Sequence, residues 1–255
     1  MTPLAHRIAK GFIPKGYWPT VYLTRLVQRS TGMRVSSGPF AGLRYVEESA
    51  EGAYIPRLLG IYERELIPII EGVVKNEFQN IVIIGAAEGF YAVGFAFRIQ
   101  NATVVAFEMD KNGRELMAKM ATLNRVSDRV VIHGKCEPEG LRRHLKVRKR
   151  TFVLCDVEGY ESELMDPGRV PELANTYMLV ELHEFKQAGI TDVVISRFES
   201  THDVRHIWQQ ERTAADFPYS NIYTRLMPRR YLEWAVSEWR PGRMSWLWLQ
   251  PKGIC

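Results

Sequence analysis

The sequence predicts an α/β protein: a largely parallel sheet with helices wound over both faces. Two observations carry that prediction. Short apolar runs recur from residue 81 to residue 181, and helix-length segments separate them. The runs are continuously apolar rather than alternating, as strands buried on both faces are.

Ile81-Val82-Ile83-Ile84 is the first run, and a helix is predicted from Gly89 to Arg98. Thr103–Phe107 is the second, followed by a helix over Arg114–Leu123. Arg129–Ile132, Thr151–Cys155 and Tyr177–Glu181 are the third to fifth, with a helix near Glu139–Leu145 after the third. Val204–Trp208 and Ser245–Leu249 are strand-like and close in sequence, so they are expected to pair antiparallel at the sheet edge. Upstream, Leu58, Leu59, Tyr62, Leu66, Ile69, Ile70, Val73 and Val74 recur at three and four. That spacing predicts one amphipathic helix over residues 54–74, bent near Gly60 and Pro68. Within residues 1–50, Gly11, Pro14, Gly16, Pro19, Gly32, Gly38 and Gly42 repeatedly break any longer pattern. Short helices and turns are expected there.

The chain therefore divides into an N-terminal extension, residues 1–53, and an α/β domain, residues 54–255. With 46% hydrophobic and 25% charged residues, 255 residues suffice for one such domain with a substantial core. No apolar stretch approaches the roughly 18 residues that cross a bilayer. The basic N-terminus lacks an apolar run ending in a small-residue cleavage site, which argues against secretion. Cys136, Cys155 and Cys255 are odd in number and share no metal-ligand spacing. They read as free thiols in a reducing compartment, so a cytoplasmic location is expected.

The net charge of +5 is unevenly spread. Arg7, Lys10, Lys15, Arg25, Arg29, Arg34 and Arg44 give residues 1–45 seven positive charges and no negative ones. A second basic run spans Arg142 to Arg150. Both read first as solvated surface, and otherwise as attraction to an anionic partner. Phe12, Tyr17, Trp18 and Tyr22 lie among the first charges, a mixture that suits a homodimer contact or a membrane-surface helix.

The stretch Gly85-Ala86-Ala87-Glu88-Gly89-Phe90-Tyr91 closes the first strand. Gly85 and Gly89 allow a tight turn and close approach of a ligand, and backbone N–H groups at the following helix start favour a carboxylate. Glu108 ends the second strand, nineteen residues past Gly89, where a carboxylate can accept from both hydroxyls of a ribose. Together these describe an adenosine site. A nicotinamide dehydrogenase would show G-x-G-x-x-G; here Ala87 stands at the second glycine, and the spacing is G-x-x-x-G.

Ile83–Gly89 resembles motif I of the class I S-adenosylmethionine-dependent methyltransferases. Cys155-Asp156-Val157-Glu158-Gly159-Tyr160-Glu161 resembles the D-x-E-G-x-E signature of the FkbM-like methyltransferases, and Val180-Glu181-Leu182-His183 their E-x-H strand end. Leu59–Leu66 is similar to the segment these enzymes place before the nucleotide domain. The match covers about residues 55–185. The resemblance implies a Rossmann-like, doubly wound sheet of seven strands with the last antiparallel, and methyl transfer to oxygen. It implies a cofactor site of Gly85, Ala86, Ala87, Glu88, Gly89 and Tyr91 around the methionine part, Glu108 and Met109 at the ribose, and Lys135 and Cys136 beside the adenine, with Asp156 also at the cofactor. Many relatives have an acidic residue in that last loop; here the acid is displaced to Glu137.

Methyl transfer is an in-line displacement, so positioning supplies much of the barrier reduction. A sugar or alkyl hydroxyl also needs a base or a metal to raise its nucleophilicity. Asp156 and Glu158 are two apart, as are Glu181 and His183, so each pair can face one side of its strand end. His183, Asp156 and Glu158 are the expected catalytic groups, with His183 the better base near neutral pH. Asp156, Glu181 and His183 are the expected ligands of a divalent metal, should one serve instead. Trp234, Trp239, Trp246 and Trp248 read as core or dimer contacts ahead of a substrate platform. The expected function is O-methylation of a hydroxylated small molecule, a sugar or natural-product intermediate. One rival is a nucleic-acid methyltransferase, against which no N-P-P-Y-like motif follows the fourth strand. Another is a binding module that keeps the fold without the chemistry.

Overall fold

The computed structural model describes residues 18–50, 52–146 and 150–253. Arg7, Lys10, Phe12, Lys15, Tyr17 and Cys255 lie outside the described residues, as does the middle of the Arg142–Arg150 run.

Seven strands form one sheet: β1 (Asn80–Ile84), β2 (Thr103–Phe107), β3 (Val130–His133), β4 (Thr151–Cys155), β5 (Tyr177–Leu182), β6 (His202–Trp208) and β7 (Ser245–Pro251). Their order is β3-β2-β1-β4-β5-β7-β6. The first five run parallel, and β7 is antiparallel to both neighbours. The last two strands pair as expected, but only β6 is an edge, because β7 inserts between it and β5. The order reverses between β1 and β4, where a doubly wound sheet opens its ligand crevice.

The continuous apolar runs serve two cores. Ile81 and Ile83 of β1 pack on one face, Val82 and Ile84 on the other. The second face is covered by α6 (Pro138–Leu145), α7 (Glu161–Leu164) and α8 (Ile190–Phe198), through Leu141, Leu164 and Val194. The first face takes α1 (Pro19–Thr31), α2 (Tyr54–Leu59), α3 (Ile67–Lys75), α4 (Phe90–Arg98) and α5 (Lys111–Leu123). Leu23, Val27, Phe40 and Leu43 share this core with Ile55, Phe95 and Ile83, so one core spans the expected boundary at residue 53.

The expected helix over 54–74 is instead two helices and a 3-10 turn, Arg64–Leu66. The interruption begins at Gly60, at φ 73°, whose Cα lies so close to the Ser37 carbonyl that a side chain would collide with it. Glu63 follows at φ 46°, and that left-handed turn swings its carboxylate inward.

One buried ion pair ties residues 45–57 to the loop after β1. Glu88, with no exposed surface, accepts from Tyr45 Oη (2.5 Å), Ser49 Oγ (2.7 Å) and the Ala50 N–H (3.2 Å), and pairs with buried Arg57. Glu88 was expected at the cofactor; the structure gives its carboxylate these internal partners, which make it an anchor of the fold. Burial alone would raise its pKa, but Arg57, Tyr45 and Ser49 together hold it below the usual carboxylate value.

Glu88→Gln would leave Arg57 buried and uncompensated, and is expected to cost about 3–5 kcal/mol in denaturant unfolding at pH 7. The lowered pKa means that this stabilisation is fully present above about pH 4.5, the carboxyl's ordinary value, and is lost as pH falls through the folded-state pKa. The stability gap between wild type and variant should therefore close below pH 4.5. A constant gap across that range would remove the ion pair as its source.

Candidate active site

The loop Gly85–Gly89 turns through three left-handed residues: Gly85 at φ 78°, Ala87 at 46° and Gly89 at 93°. Gly85 and Ala86 donate to the Phe107 carbonyl (2.9 and 3.0 Å), pinning the loop to the end of β2. A Cβ at Gly85 would fall on the Asp156 carbonyl oxygen. The glycine is thus required first for contact between two strand ends, and only indirectly for a ligand.

Glu108 stands at the mouth of this loop, half-buried. Its carboxylate accepts from the Ala87 N–H (2.7 Å) and the Asp110 N–H (2.7 Å), one bond on each oxygen. One lone pair per oxygen remains, enough for two ribose hydroxyls, and the backbone donors fix the carboxylate's orientation. The Ala87 N–H is spent on Glu108, so the loop offers fewer free donors to a carboxylate than its sequence suggested. Met109 is 73% exposed beside Glu108. Lys135 is exposed and pairs with Glu137 (2.5 Å), which also accepts from Tyr160 Oη (3.0 Å). The Cys136 side chain turns the other way, into the core with Leu141 and Val105, and burial pushes its thiol up to about 12. Of Cys136, only the backbone is left free for the adenine contact expected there. A narrow cavity joins Gly85, Ala86, Ala87, Tyr91, Tyr62 and Asp156, so Tyr91 and Asp156 line the same space as the glycine loop.

Asp156 and His183 leave the adjacent ends of β4 and β5. His183 is 1% exposed. Its Nδ1 lies 2.5 Å from Oε1 of Glu161, a fully buried carboxylate that also accepts from the Gly159 N–H (3.1 Å). A carboxylate can only accept, so Nδ1 carries the proton. Nε2 is buried without a hydrogen-bond partner and faces Asp156 Oδ1 at 3.5 Å and Glu158 Oε1 at 3.7 Å. Glu158 reaches that position because it turns back at φ 54°. Burial works against protonation of His183, but Glu161, Asp156 and Glu158 outweigh it and raise the pKa.

Ligand-capable atoms of Asp156, Glu158 and His183 lie within 4.8 Å of one another. Two carboxylates and an imidazole lone pair converge, with a further carboxylate behind the imidazole, the usual outer partner of a metal-bound histidine. The residues fit a divalent cation. Glu181, expected as the third ligand, stands outside this grouping, and Glu158 stands within it: Glu181 Oε1 is taken by Arg240 Nη1 at 2.5 Å. Burial and neighbouring Asp156 push Glu181 well above the usual carboxylate range, with Arg240 opposing.

Sequence reasoning missed Glu63, Glu161 and Arg240 as site residues. Arg240 pairs with both Glu63 and Glu181 and lies over the Tyr62 ring, 5.6 Å from its centroid. Glu161 was visible within the D-x-E-G-x-E stretch. Nothing local marked Arg240, whose partners lie 59 and 177 residues away.

No protein-family model matches the chain, and no curated protein matches it. Solved structures do. The METTL16 methyltransferase domain aligns at a TM-score of 0.50 and 14% identity, over 90% of this chain and 78% of that one. A candidate O-methyltransferase of Klebsiella pneumoniae aligns at 0.47 and 10%, over 98% and 97%. A human methyltransferase 10 domain containing protein aligns at 0.47 and 11%, over 90% and 94%. At these identities the likeness is one of fold. The seven-stranded sheet with its antiparallel β7 is the Rossmann-like fold of class I methyltransferases.

Gly85→Ala places a methyl group against the Asp156 carbonyl in a backbone conformation that disfavours side chains. It is expected to destabilise the chain by at least about 2 kcal/mol, through overpacking and left-handed strain. Equilibrium unfolding checks this; wild-type stability would show that the two strand ends can separate freely.

Proposed function

We propose that this chain is an S-adenosylmethionine-dependent, FkbM-like methyltransferase that methylates a hydroxyl oxygen of a small molecule such as a sugar or natural-product intermediate. The observation that carries the reading is the buried, unpartnered Nε2 of His183, facing two carboxylates beside the glycine loop. When bound, the cofactor supplies an electrophilic methyl on a sulfonium sulfur, and displacement leaves a neutral thioether. Glu108 orients the ribose, and the Gly85–Tyr91 loop holds the methionine part against Asp156.

Asp156, Glu158 and His183 would hold a divalent cation, whose charge lowers the pKa of a neighbouring hydroxyl. Glu161 fixes the His183 ring and its tautomer. The same uncapped Nε2 favours a second reading: His183 accepts the hydroxyl proton directly as the acceptor oxygen attacks. A small-molecule acceptor is preferred over nucleic acid because basic residues of the Arg142–Arg150 run serve internal contacts. Arg142 pairs with Glu172 (3.1 Å), and Arg150 lies over Phe78 and Tyr177 (4.6 and 4.8 Å). Nucleic-acid binding with a steep salt dependence would reverse that preference.

Glu108→Ala is expected to weaken S-adenosylmethionine binding by about 1.5–3 kcal/mol, the range for hydrogen bonds to a charged group. Unchanged affinity by calorimetry in a folded variant would defeat the ribose assignment.

His183→Ala should reduce turnover by about 10²–10⁴ while cofactor affinity stays near wild type. Because that change also strands Glu161 in the core, Glu158→Gln, at an exposed position, provides a second probe. Under the cation reading a chelator abolishes turnover, a divalent ion restores it, and Glu158→Gln raises the ion concentration needed. Indifference to chelator with a slow His183→Ala enzyme selects the free base. Wild-type turnover in folded His183→Ala eliminates both.

A further inference from the structure

The carboxyl end of the sheet carries a second feature that methyl transfer alone does not explain. Beyond Arg240, residues 209–213, residues 237–243 and the helix Arg229–Val236 wall an open cleft of about 950 Å³. It adjoins the donor side: Arg240 lines the cleft and lies over Tyr62, which with Asp156 lines the cavity beside the glycine loop. Five arginines face the cleft against three glutamates. Arg212 and Arg240 are neutralised in buried ion pairs, and Arg64 is held by Asp216. Arg243 differs. It is exposed, sits over the Trp208 ring at 4.8 Å from the centroid, and forms no ion pair with a described residue. A guanidinium held on an aromatic face keeps its planar fork of donors for a carboxylate or a phosphate.

Trp239 is the second part. It lines the same cleft, is 54% exposed, and sits at φ 59°. Left-handed backbone is unfavourable at a bulky residue and persists only where the surroundings impose it. Here the neighbours impose it. Glu238 is buried against Arg212 (2.6 Å) and accepts from the Glu63 N–H (3.0 Å), while Arg240 is drawn to Glu181 (2.5 Å). With both flanking side chains pulled inward, the indole between them is turned out. Trp234, edge-on at 5.9 Å, braces it there.

An exposed, braced indole and a guanidinium without a carboxylate partner line one cleft, and together they fit a ring with one apolar face and an anionic substituent. We infer that the methyl acceptor is a hydroxylated ring of the sugar type carrying a carboxylate or phosphate, with Trp239 stacking on the ring and Arg243 binding the anion. This rests on the methyl-transfer reading and adds to it the acceptor's charge and the residues that select it.

The test measures ligand binding and methyl transfer separately. Binding of methyl glucuronide, glucose 6-phosphate and neutral methyl glucoside to the full chain is followed by calorimetry with S-adenosylhomocysteine present. At least one anionic probe should bind tenfold or more tighter than the neutral one, and the tighter of the two anions identifies the substituent. Arg243→Gln, at an exposed position without an ion pair, should erase that preference. Trp239→Ala should weaken every probe that binds. Equal affinity for neutral and anionic probes, a preference that survives Arg243→Gln, or no binding by any probe would overturn the inference. Product formation with S-adenosylmethionine is scored in parallel. Anion-selective binding without product would reject the methyl-transfer reading and retain the anion site; transfer to the neutral ring alone would do the reverse.

Discussion

Arg240 is the point through which distant parts of this chain are joined. Its guanidinium lies between Glu63, from the turn after α2, and Glu181, from the end of β5, with Glu238 also near at 3.7 Å. Arg212 joins the same Glu238 to Glu65. Buried charges are costly unless every partner is in place, so such a knot specifies arrangement more than it adds stability. It draws the long connection between β6 and β7 down over the carboxyl end of the sheet. The glycine loop, the His183 cluster and the arginine-lined cleft share their walls for that reason.

The same constraint accounts for where the backbone is strained. Seven non-glycine residues have positive φ among the described residues, and four of them, Glu63, Ala87, Glu158 and Trp239, surround this end of the sheet. Each strained turn aims a group: Glu63 into the ion-pair knot, the Ala87 N–H onto Glu108, Glu158 toward His183, and Trp239 into the cleft. Local strain of this kind persists because the surrounding contacts over-determine it. His183 shows the principle at one residue. Glu161 holds one nitrogen, and the other faces the Asp156 and Glu158 carboxylates without a hydrogen bond.

Much of this was legible beforehand, element by element. The runs at 81–84, 103–107, 151–155 and 177–181 became β1, β2, β4 and β5 because a strand buried on both faces needs apolar residues at every position. Glu108 and the Gly85–Gly89 loop met as expected, since both sit at ends of adjacent parallel strands. The helix over 54–74 was misread because its apolar period continues across Gly60, while the break is imposed by close approach of Ser37. The inward turn of the Glu88 carboxylate was not legible, because a loop acid looks the same in sequence whether it faces outward or toward a buried arginine.

The amino-acid sequence by itself determined the α/β class, the parallel core strands, the glycine loop with Glu108 beside it, and the approach of Asp156 and His183 at adjacent strand ends. Those are properties of periodicity and of strand ends, which neighbouring residues encode. Tertiary structure alone decided that Glu158 rather than Glu181 completes the cluster, that Cys136 turns into the core, and that Trp239 faces a cleft while Trp246 is buried. Each of those outcomes depends on a partner far away in the chain, Arg240 above all. A charge's partner is set by which segments the fold brings together, and no local pattern records it.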